Sequence, residues 1–201
     1  MHEPSAESFA AALAALRRGE AVVFPTETFY GVGANALDAA AVERVAALKG
    51  RGADSPIAVI VADRAMLAQI VDDIPAAAEK LIARFWPGPL TLVLSAKRGI
   101  PAPLVNSAGK IGARVSSHPT AARLARELGR PLTATSANPS GKNPARSIAE
   151  AKAYFADKIG VYIDGGALTG TAASTVAEID GGELKIIRAG AIAEEELKKW
   201  L

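Results

Sequence analysis

Hydroxyl, amide and cationic side chains gather in a few short segments of this chain, each after or near an apolar, β-rich run. An α/β fold exposes short polar side chains and backbone donors in the turns that lead from strands to helices. Cations and hydroxyls with few carboxylates are the groups that bind an anionic ligand such as a nucleoside triphosphate. The segments are Pro25-Thr-Glu-Thr-Phe-Tyr-Gly-Val-Gly33, Lys49-Gly-Arg51, Thr135-Ser-Ala-Asn138, Ser174-Thr-Val176 and Arg188.

Taken one at a time, these segments also fit simpler structural roles. Residues 26–33 could be a glycine-rich turn with solvated threonines that leads from a strand into a helix. Lys49 and Arg51 could complement the dipole at a helix C-terminus. Ser136 and Asn138 could form ordinary Ser and Asx turns. A functional interpretation therefore requires that the fold bring the segments together.

Two charged residues need partners if they face inward. Arg114 follows Ile111-Gly-Ala in an apolar strand, where a buried guanidinium would need an anionic partner. Glu27 is the carboxylate inside the first polar segment, and an outward, salt-bridged glutamate explains it equally well. The sequence leaves both orientations open.

Several catalytic chemistries are disfavoured by what the sequence lacks. There is no cysteine, so a thiolate zinc site and a cysteine nucleophile are excluded, and His2 and His118 are the only histidines. Neither a P-loop nor a Gly-x-Ser-x-Gly elbow occurs, and the first polar segment lacks a Rossmann fingerprint. We therefore predict no metal ligands from the protein.

The bulk composition predicts one soluble domain. Of the 201 residues, 50% are apolar, and the net charge of +2 does not by itself indicate a nucleic-acid protein. There is no apolar run of about 18 residues and no secretory signal at the start. We expect a cytoplasmic protein with a single domain over residues 1–201 and a core over about residues 10–190.

Strand and helix patterns alternate along the chain before it closes in a hairpin. Ser5, Asp38 and Ser147 are candidate helix caps, and short β-branched runs such as residues 21–24 indicate buried strands. Asp180-Gly-Gly182 between two β-rich runs indicates a hairpin, and the last ten residues look helical. This pattern predicts an α/β fold with a mixed parallel and antiparallel sheet.

The order of the motifs resembles that of the YrdC/Sua5 family, the threonylcarbamoyl-adenylate synthases. The resemblance covers about residues 10–190 and rests on the ordered set rather than on any one motif. The motifs are Pro25-Thr-Glu-Thr-Phe-Tyr-Gly-Val-Gly33, Lys49-Gly-Arg51, Pro56-Ile57, Trp86-Pro-Gly-Pro-Leu-Thr91, Arg114-Val115, His118-Pro119, Thr135-Ser-Ala-Asn-Pro-Ser-Gly141 and Ser174-Thr-Val176.

The resemblance implies a fold and an activity. The fold is a twisted mixed parallel and antiparallel sheet with flanking helices, curled around a concave basic cavity. The activity joins L-threonine, bicarbonate or CO2 and ATP into threonylcarbamoyl-AMP and releases pyrophosphate. Mg²⁺ would accompany the ATP. Downstream proteins would transfer the threonylcarbamoyl group to adenosine 37 of tRNA, and they or the tRNA are candidate partners.

The resemblance also implies a role for each matching site residue. The implied catalytic pair, which would meet ATP phosphates and the substrate carboxylate, is Lys49 and Arg51. The implied threonine or carbamate site consists of Thr28, Tyr30, Arg114 and Ser174. The further implied ATP contacts are Ser136, Asn138 and Arg188.

Two departures from the family pattern concern the segment after Lys49. Gly52 stands where many relatives have Pro, which could loosen the chain up to Pro56, and no His follows Pro56-Ile57 as it does in some longer relatives. Two other functions stay open. One is a carbamoyl-adenylate-dependent carbamoyltransferase domain, and the other is a non-catalytic module that binds double-stranded RNA through salt-sensitive contacts.

Overall fold

The computed structural model describes residues 4–50, 55–170 and 172–201, so the predicted site residue Arg51 and the departure at Gly52 lie outside the described residues. The helices are α1 (Ala6–Arg17), α2 (Ala39–Lys49), α3 (Arg64–Leu67), α4 (Ala76–Phe85), α5 (Pro119–Leu128), α6 (Ile148–Phe155) and α7 (Glu194–Lys198). The strands are β1 (Val22–Phe24), β2 (Gly31–Gly33), β3 (Val59–Ile60), β4 (Leu90–Ser95), β5 (Lys110–Arg114), β6 (Leu132–Thr133), β7 (Thr135–Ser136), β8 (Val161–Tyr162), β9 (Thr175–Asp180) and β10 (Glu183–Arg188).

The described strands form two sheets that combine parallel and antiparallel pairs. One sheet has the order β7-β2-β1-β8, and the other has the order β10-β9-β4-β5-β3-β6. The pairs β1–β8, β3–β5 and β4–β9 are parallel, and the other pairs are antiparallel. The mixed α/β fold class is confirmed, and β9–β10 is the closing hairpin that the sequence indicates.

The polar segment after β1 joins two strands rather than a strand and a helix. Because β2 pairs antiparallel with β1, residues 25–30 form a hairpin loop, and the predicted strand-to-helix turn is wrong. The close packing of β2 against Phe24 leaves no room for a side chain at Gly33. A Cβ atom there would lie 2.5 Å from Phe24 Cε1. The glycine thus permits a strand that local composition does not indicate.

The Thr135-Ser-Ala-Asn138 segment is also more regular than expected. Thr135 and Ser136 form β7, which pairs with β2 and places Ser136 opposite Gly31. This pairing joins segments that are far apart in the chain, so the sequence indicates only a turn there. It brings Ser136 next to the β1–β2 loop, which carries Thr28.

The helix caps follow the sequence closely. The side chains of Ser5, Asp38 and Ser147 each accept a hydrogen bond from a backbone N–H in the first turn of α1, α2 and α6. The predicted C-terminal helix is confined to α7. Buried apolar residues from Phe9 to Leu197 form one hydrophobic cluster.

His118 caps α5 through its imidazole. Nδ1 accepts a hydrogen bond from the backbone N–H of Thr120 at 3.2 Å, and the residue is buried. Burial lowers the pKa of His118 below its ordinary value, and the charge of Glu27 partly offsets this effect. A protonated Nδ1 could not accept the capping hydrogen bond, so this cap requires the neutral imidazole.

We expect acidification to destabilise the wild-type protein more than a His118→Asn variant. Because the pKa of His118 is lower in the folded protein than in the unfolded protein, the imidazole binds a proton more tightly in the unfolded state. Its contribution to stability is therefore present above pH of about 6.5 and is lost as pH falls towards the folded pKa. Asparagine keeps a capping oxygen but does not titrate. Chemical denaturation on both sides of that pH measures the effect, and a pH-independent difference in unfolding free energy would contradict it.

Candidate active site

Residues from both sheets line one cavity of about 460 Å³. On the larger sheet the wall is made by alternate residues, the spacing that places side chains on one face. β5 contributes Lys110, Gly112 and Arg114, and every second residue from Ser174 to Glu178 lines the cavity along β9. The larger sheet therefore presents a polar face to the cavity.

Most of the site residues predicted from the sequence meet in this cavity. Those that line it are Thr28, Tyr30, Arg114, Ser136, Ser174 and Arg188. Among the described residues that line it, neither Lys49 nor Asn138 is present, and Arg51 lies outside the described residues. A contact between any of these residues and a ligand stays a prediction.

Lys49 lies behind the cavity wall, with its side chain buried. Its ammonium group donates to the carbonyl of Ser136 at 2.5 Å, to the carbonyl of Asn138, and to Asn138 Oδ1 at 3.3 Å. The Asn138 amide donates in turn to the carbonyls of Pro139 and Lys142. Lys49 thus holds the segment that carries Ser136. The sequence indicates an ammonium group that points at an anion, and that role of Lys49 stays a prediction.

The Thr28 oxygen can accept a hydrogen bond in the cavity. Thr26 Oγ1 donates its proton to the carbonyl of Phe29 at 2.7 Å and accepts from the backbone N–H groups of Thr28 at 3.2 Å and Phe29 at 3.3 Å. Since Thr26 has no second proton to give to the Thr28 hydroxyl 3.0 Å away, the Thr28 oxygen keeps its lone pairs for a ligand. Thr28 offers a hydrogen-bond acceptor to an amine or a hydroxyl group in the cavity.

Tyr30 forms part of the wall and fixes the loop after β8. Its hydroxyl donates to the carbonyl of Gly166 at 2.7 Å and accepts from the backbone N–H of Gly165 at 2.9 Å. Burial raises the pKa of Tyr30 to about 12. The phenol therefore stays protonated near neutral pH and acts as a structural group rather than as a base.

Glu27 is the anionic partner that an inward Arg114 requires. Glu27 Oε1 lies 3.2 Å from Arg114 Nε, and the two side chains are only 13% and 8% exposed. The two atoms form an ion pair without the alignment of a hydrogen bond. Glu27 Oε2 accepts a hydrogen bond from the Ser116 hydroxyl. Of the two orientations that the sequence leaves open, the structure therefore has the inward one.

A β-bulge in β10 directs Arg188 towards the cavity. The pairing of β9 with β10 is regular up to Ile186 and then shifts by one residue, so that Arg188 lies opposite Val176. In an unshifted register, Arg188 would point to the opposite face of the sheet. In its actual position, Arg188 Nη2 donates to the carbonyl of Ser174 at 2.8 Å and to Ser174 Oγ at 3.1 Å.

The wall contains polar residues that sequence reasoning missed. They are Ser55, Thr91, Asn106, Lys110, Thr135 and Glu178. Lys110 and Glu178 form an ion pair, and counting every second residue along β5 and β9 from the predicted site residues would have found both. The buried Thr135 hydroxyl has no hydrogen-bond partner among the described residues. Thr91 ends a motif that supports the family resemblance, yet the motif gives it no role.

Within the described residues, no cluster of three or more His, Cys, Asp and Glu side chains could hold a metal ion. None of the helices in this part of the chain has both the length and the apolar character that crossing a membrane requires.

Comparison with known proteins identifies similar sequences over nearly the whole chain. The Sua5/yciO/yrdC family model, described as telomere recombination, matches residues 14–190. A threonylcarbamoyl-AMP synthase from Pseudoalteromonas translucida is 38% identical over 179 residues, which are 88% of this chain and 96% of that protein. A threonylcarbamoyl-AMP synthase from Pyrococcus abyssi is 40% identical over 184 residues, which are 92% of this chain and 54% of that protein.

A solved structure extends the similarity to three dimensions. The crystal structure of P. abyssi Sua5 complexed with L-threonine matches with a TM-score of 0.91 and 38% identity. The match covers 96% of this chain and 57% of that chain. The chain therefore spans little more than half of the P. abyssi protein but nearly all of the P. translucida protein.

We expect Glu27 and Arg114 to be strongly coupled in stability. Glu27→Gln leaves a buried guanidinium without a counter-ion and should cost about 3–5 kcal/mol of unfolding free energy. The loss of unfolding free energy in the double variant Glu27→Gln/Arg114→Met should be much smaller than the sum of the losses in the two single variants, because the double variant removes both charges. Denaturant unfolding of all four proteins measures this coupling.

The exposed pair Arg123 and Glu127 provides a matched control for this double-mutant cycle, the comparison of the wild type, two single variants and one double variant. Their side chains are 50% and 40% exposed, and they form an ion pair four residues apart on α5. The same cycle there should give a coupling of about 0.5 kcal/mol or less. Equal, small couplings at the two pairs would contradict the role of Glu27.

Proposed function

This chain belongs to the Sua5/YciO/YrdC family, and from that premise we propose that it is an L-threonylcarbamoyladenylate synthase. It joins L-threonine, bicarbonate or CO2 and ATP into threonylcarbamoyl-AMP and pyrophosphate, for the formation of threonylcarbamoyladenosine at position 37 of tRNA. The proposal rests mainly on one observation. Arg114 and Arg188 converge on Ser174 in a cavity that also exposes Thr28 and Ser136.

The amino acid fits the part of the cavity between Thr28 and Arg114. Thr28 supplies an acceptor for the amine or the hydroxyl of threonine, because Thr26 gives its own proton to the carbonyl of Phe29. The Arg114 guanidinium supplies donors for a carboxylate or a carbamate. Tyr30 forms the adjacent wall, and Ser174 links this part of the cavity to Arg188.

The nucleotide fits the side of the cavity that Ser136 and Arg188 form. Arg188 provides positive charge for a phosphate, and the Ser136 hydroxyl can donate to a phosphate oxygen. In this proposal, Lys49 and Asn138 hold the Ser136 segment in place. Lys49 reaches a phosphate oxygen by exchanging one of its carbonyl contacts for it, and Arg51 is assigned to the same phosphates by the family resemblance.

The reaction depends on positioning and charge neutralisation rather than on a covalent enzyme intermediate. The threonine amine attacks the carbon of CO2 and loses a proton, which gives an N-carboxylate. An oxygen of that group then attacks the α-phosphorus of ATP. The bond from this phosphorus to the bridging oxygen breaks, and pyrophosphate leaves with the electron pair. Arg114 and Arg188 lower the repulsion between the anions that must meet.

The remaining participants follow from the chemistry of ATP and of the product. Mg²⁺ accompanies ATP, with phosphate oxygens and water as its main ligands. The mixed anhydride passes to proteins that transfer the threonylcarbamoyl group to tRNA. Direct contact with tRNA or with those proteins, and a cytoplasmic location, belong to the proposal.

The proposal is tested by incubating the pure chain with MgATP, bicarbonate and one amino acid at a time, and by measuring pyrophosphate. We expect release that depends selectively on L-threonine. In a parallel reaction, carbamoyl phosphate replaces the bicarbonate and the amino acid. Release that depends on carbamoyl phosphate but not on threonine would contradict the proposal and indicate the carbamoyltransferase alternative. Salt-sensitive binding of double-stranded RNA without any turnover would contradict it in favour of the RNA-binding module.

We further expect Arg188→Gln to lower kcat/KM for pyrophosphate release by about 10²- to 10³-fold, the typical effect of removing one group that stabilises developing charge. Arg188 is exposed at the end of β10, so the substitution should not prevent folding. Arg98→Gln removes the same charge from an exposed position after β4 and serves as the control. Equal rates for the two variants would contradict a role for Arg188.

A further inference from the structure

The hydrogen bonds around Ser174 determine where its proton lies. Ser174 Oγ is 3.1 Å from Arg188 Nη2, 3.5 Å from Arg114 Nη1 and 3.0 Å from Thr91 Oγ1. A guanidinium group can donate hydrogen bonds but cannot accept them, so both arginines direct N–H groups at the serine oxygen. The serine oxygen has two lone pairs for these two donors. The assignment that satisfies all three contacts is the one in which Ser174 donates its proton to Thr91 Oγ1.

Thr91 is consequently the acceptor in this pair, and its own proton points elsewhere. Within the described parts of the chain, Ser174 is the only hydrogen-bond partner of the Thr91 hydroxyl. Thr91 is 1% exposed and lines the cavity. A buried hydroxyl proton without an acceptor costs free energy, and a ligand oxygen in the cavity would remove that cost.

The rotamer of Thr91 is supported by Gly112 on the neighbouring strand. A Cβ atom at Gly112 would lie 3.2 Å from the methyl carbon of Thr91, so the absent side chain leaves room for that methyl group. With its methyl group against Gly112, Thr91 keeps its hydroxyl near Ser174, which Arg114 also contacts. The donor and the guanidinium therefore lie around the same part of the cavity.

We propose that Thr91 is a further substrate-binding residue, which donates a hydrogen bond to a carboxylate-type oxygen held beside Arg114. This inference rests on the proposed function and adds a residue to it. Two sources could supply the oxygen: the carboxylate of the amino acid or the N-carboxylate formed on its amine. Thr28 faces the ligand as an acceptor and Thr91 as a donor, so the two threonines together define the orientation of the amino acid.

The test compares binding and turnover in the wild type, Thr91→Val and Thr91→Ser. Valine has nearly the shape of threonine but no hydroxyl, whereas serine restores it. Calorimetry with L-threonine alone reports on the substrate carboxylate, and L-threoninol, in which that carboxylate is an alcohol, is the uncharged comparison ligand. Turnover at varied bicarbonate reports on the N-carboxylate. We expect Thr91→Val to weaken one of these two steps by about ten- to hundredfold, and Thr91→Ser to restore it.

Thr175→Val is the matched control for a lost buried hydroxyl. Thr175 is 1% exposed, and its hydroxyl donates to the carbonyl of Ile192 at 2.7 Å. It does not belong to the described cavity wall. This variant should lower the thermal unfolding midpoint without changing the affinity for threonine. A loss of affinity in both valine variants would therefore indicate a general structural effect and would overturn the inference.

The outcomes separate this inference from the proposed function. A weaker affinity of Thr91→Val for L-threonine, with unchanged affinity for L-threoninol, supports donation to the substrate carboxylate. Unchanged threonine affinity with a higher KM for bicarbonate supports donation to the N-carboxylate. A Thr91→Val protein that matches an active wild type in both assays overturns the inference alone. A wild type that neither binds nor consumes threonine contradicts the proposed function and this inference with it.

Discussion

A buried guanidinium needs a counter-charge, and Arg114 obtains it from Glu27 on the β1–β2 loop. The same loop carries Thr28, so one ion pair ties the loop to the strand that crosses the opposite wall of the cavity. Because Ser116 donates to the second oxygen of Glu27, the carboxylate would lose two contacts if it turned towards solvent. The distance between the acceptor at Thr28 and the donors of Arg114 therefore depends on this pair.

The second cation depends on a single extra residue in β10. The register shift after Ile186 places Arg188 on the face of the sheet that lines the cavity, where it meets the Ser174 carbonyl and hydroxyl. Two guanidinium groups from different strands can share one serine because its oxygen has two lone pairs. Thr91 then accepts the hydrogen bond that Ser174 donates. The direction of the hydrogen bonds along this wall is therefore fixed by the two guanidinium groups, which can donate but cannot accept.

The sequence predicts best what local signals determine. Ser5 and Asp38 cap helices as their spacing indicates, and the ordered motifs identify side chains that meet in one cavity. It fails where distant segments pair. The hairpin between β1 and β2 requires Gly33 to pack on Phe24, and β7 forms only by pairing with β2, which lies far away in the chain. The sequence does indicate that an inward Arg114 needs an anion, but it leaves two orientations of Glu27 open, because only the pairing of distant strands brings the two side chains together.

The central claim is that one cavity holds the amino acid and the triphosphate at the same time, on either side of Ser174. A crystal structure of the chain with L-threonine and a non-hydrolysable ATP analogue tests it most directly. The account predicts a carboxylate oxygen within hydrogen-bond distance of Arg114 and a phosphate oxygen within that distance of Arg188. Ligands bound outside this cavity, or a single ligand in contact with both arginines that excludes the other ligand, would contradict it.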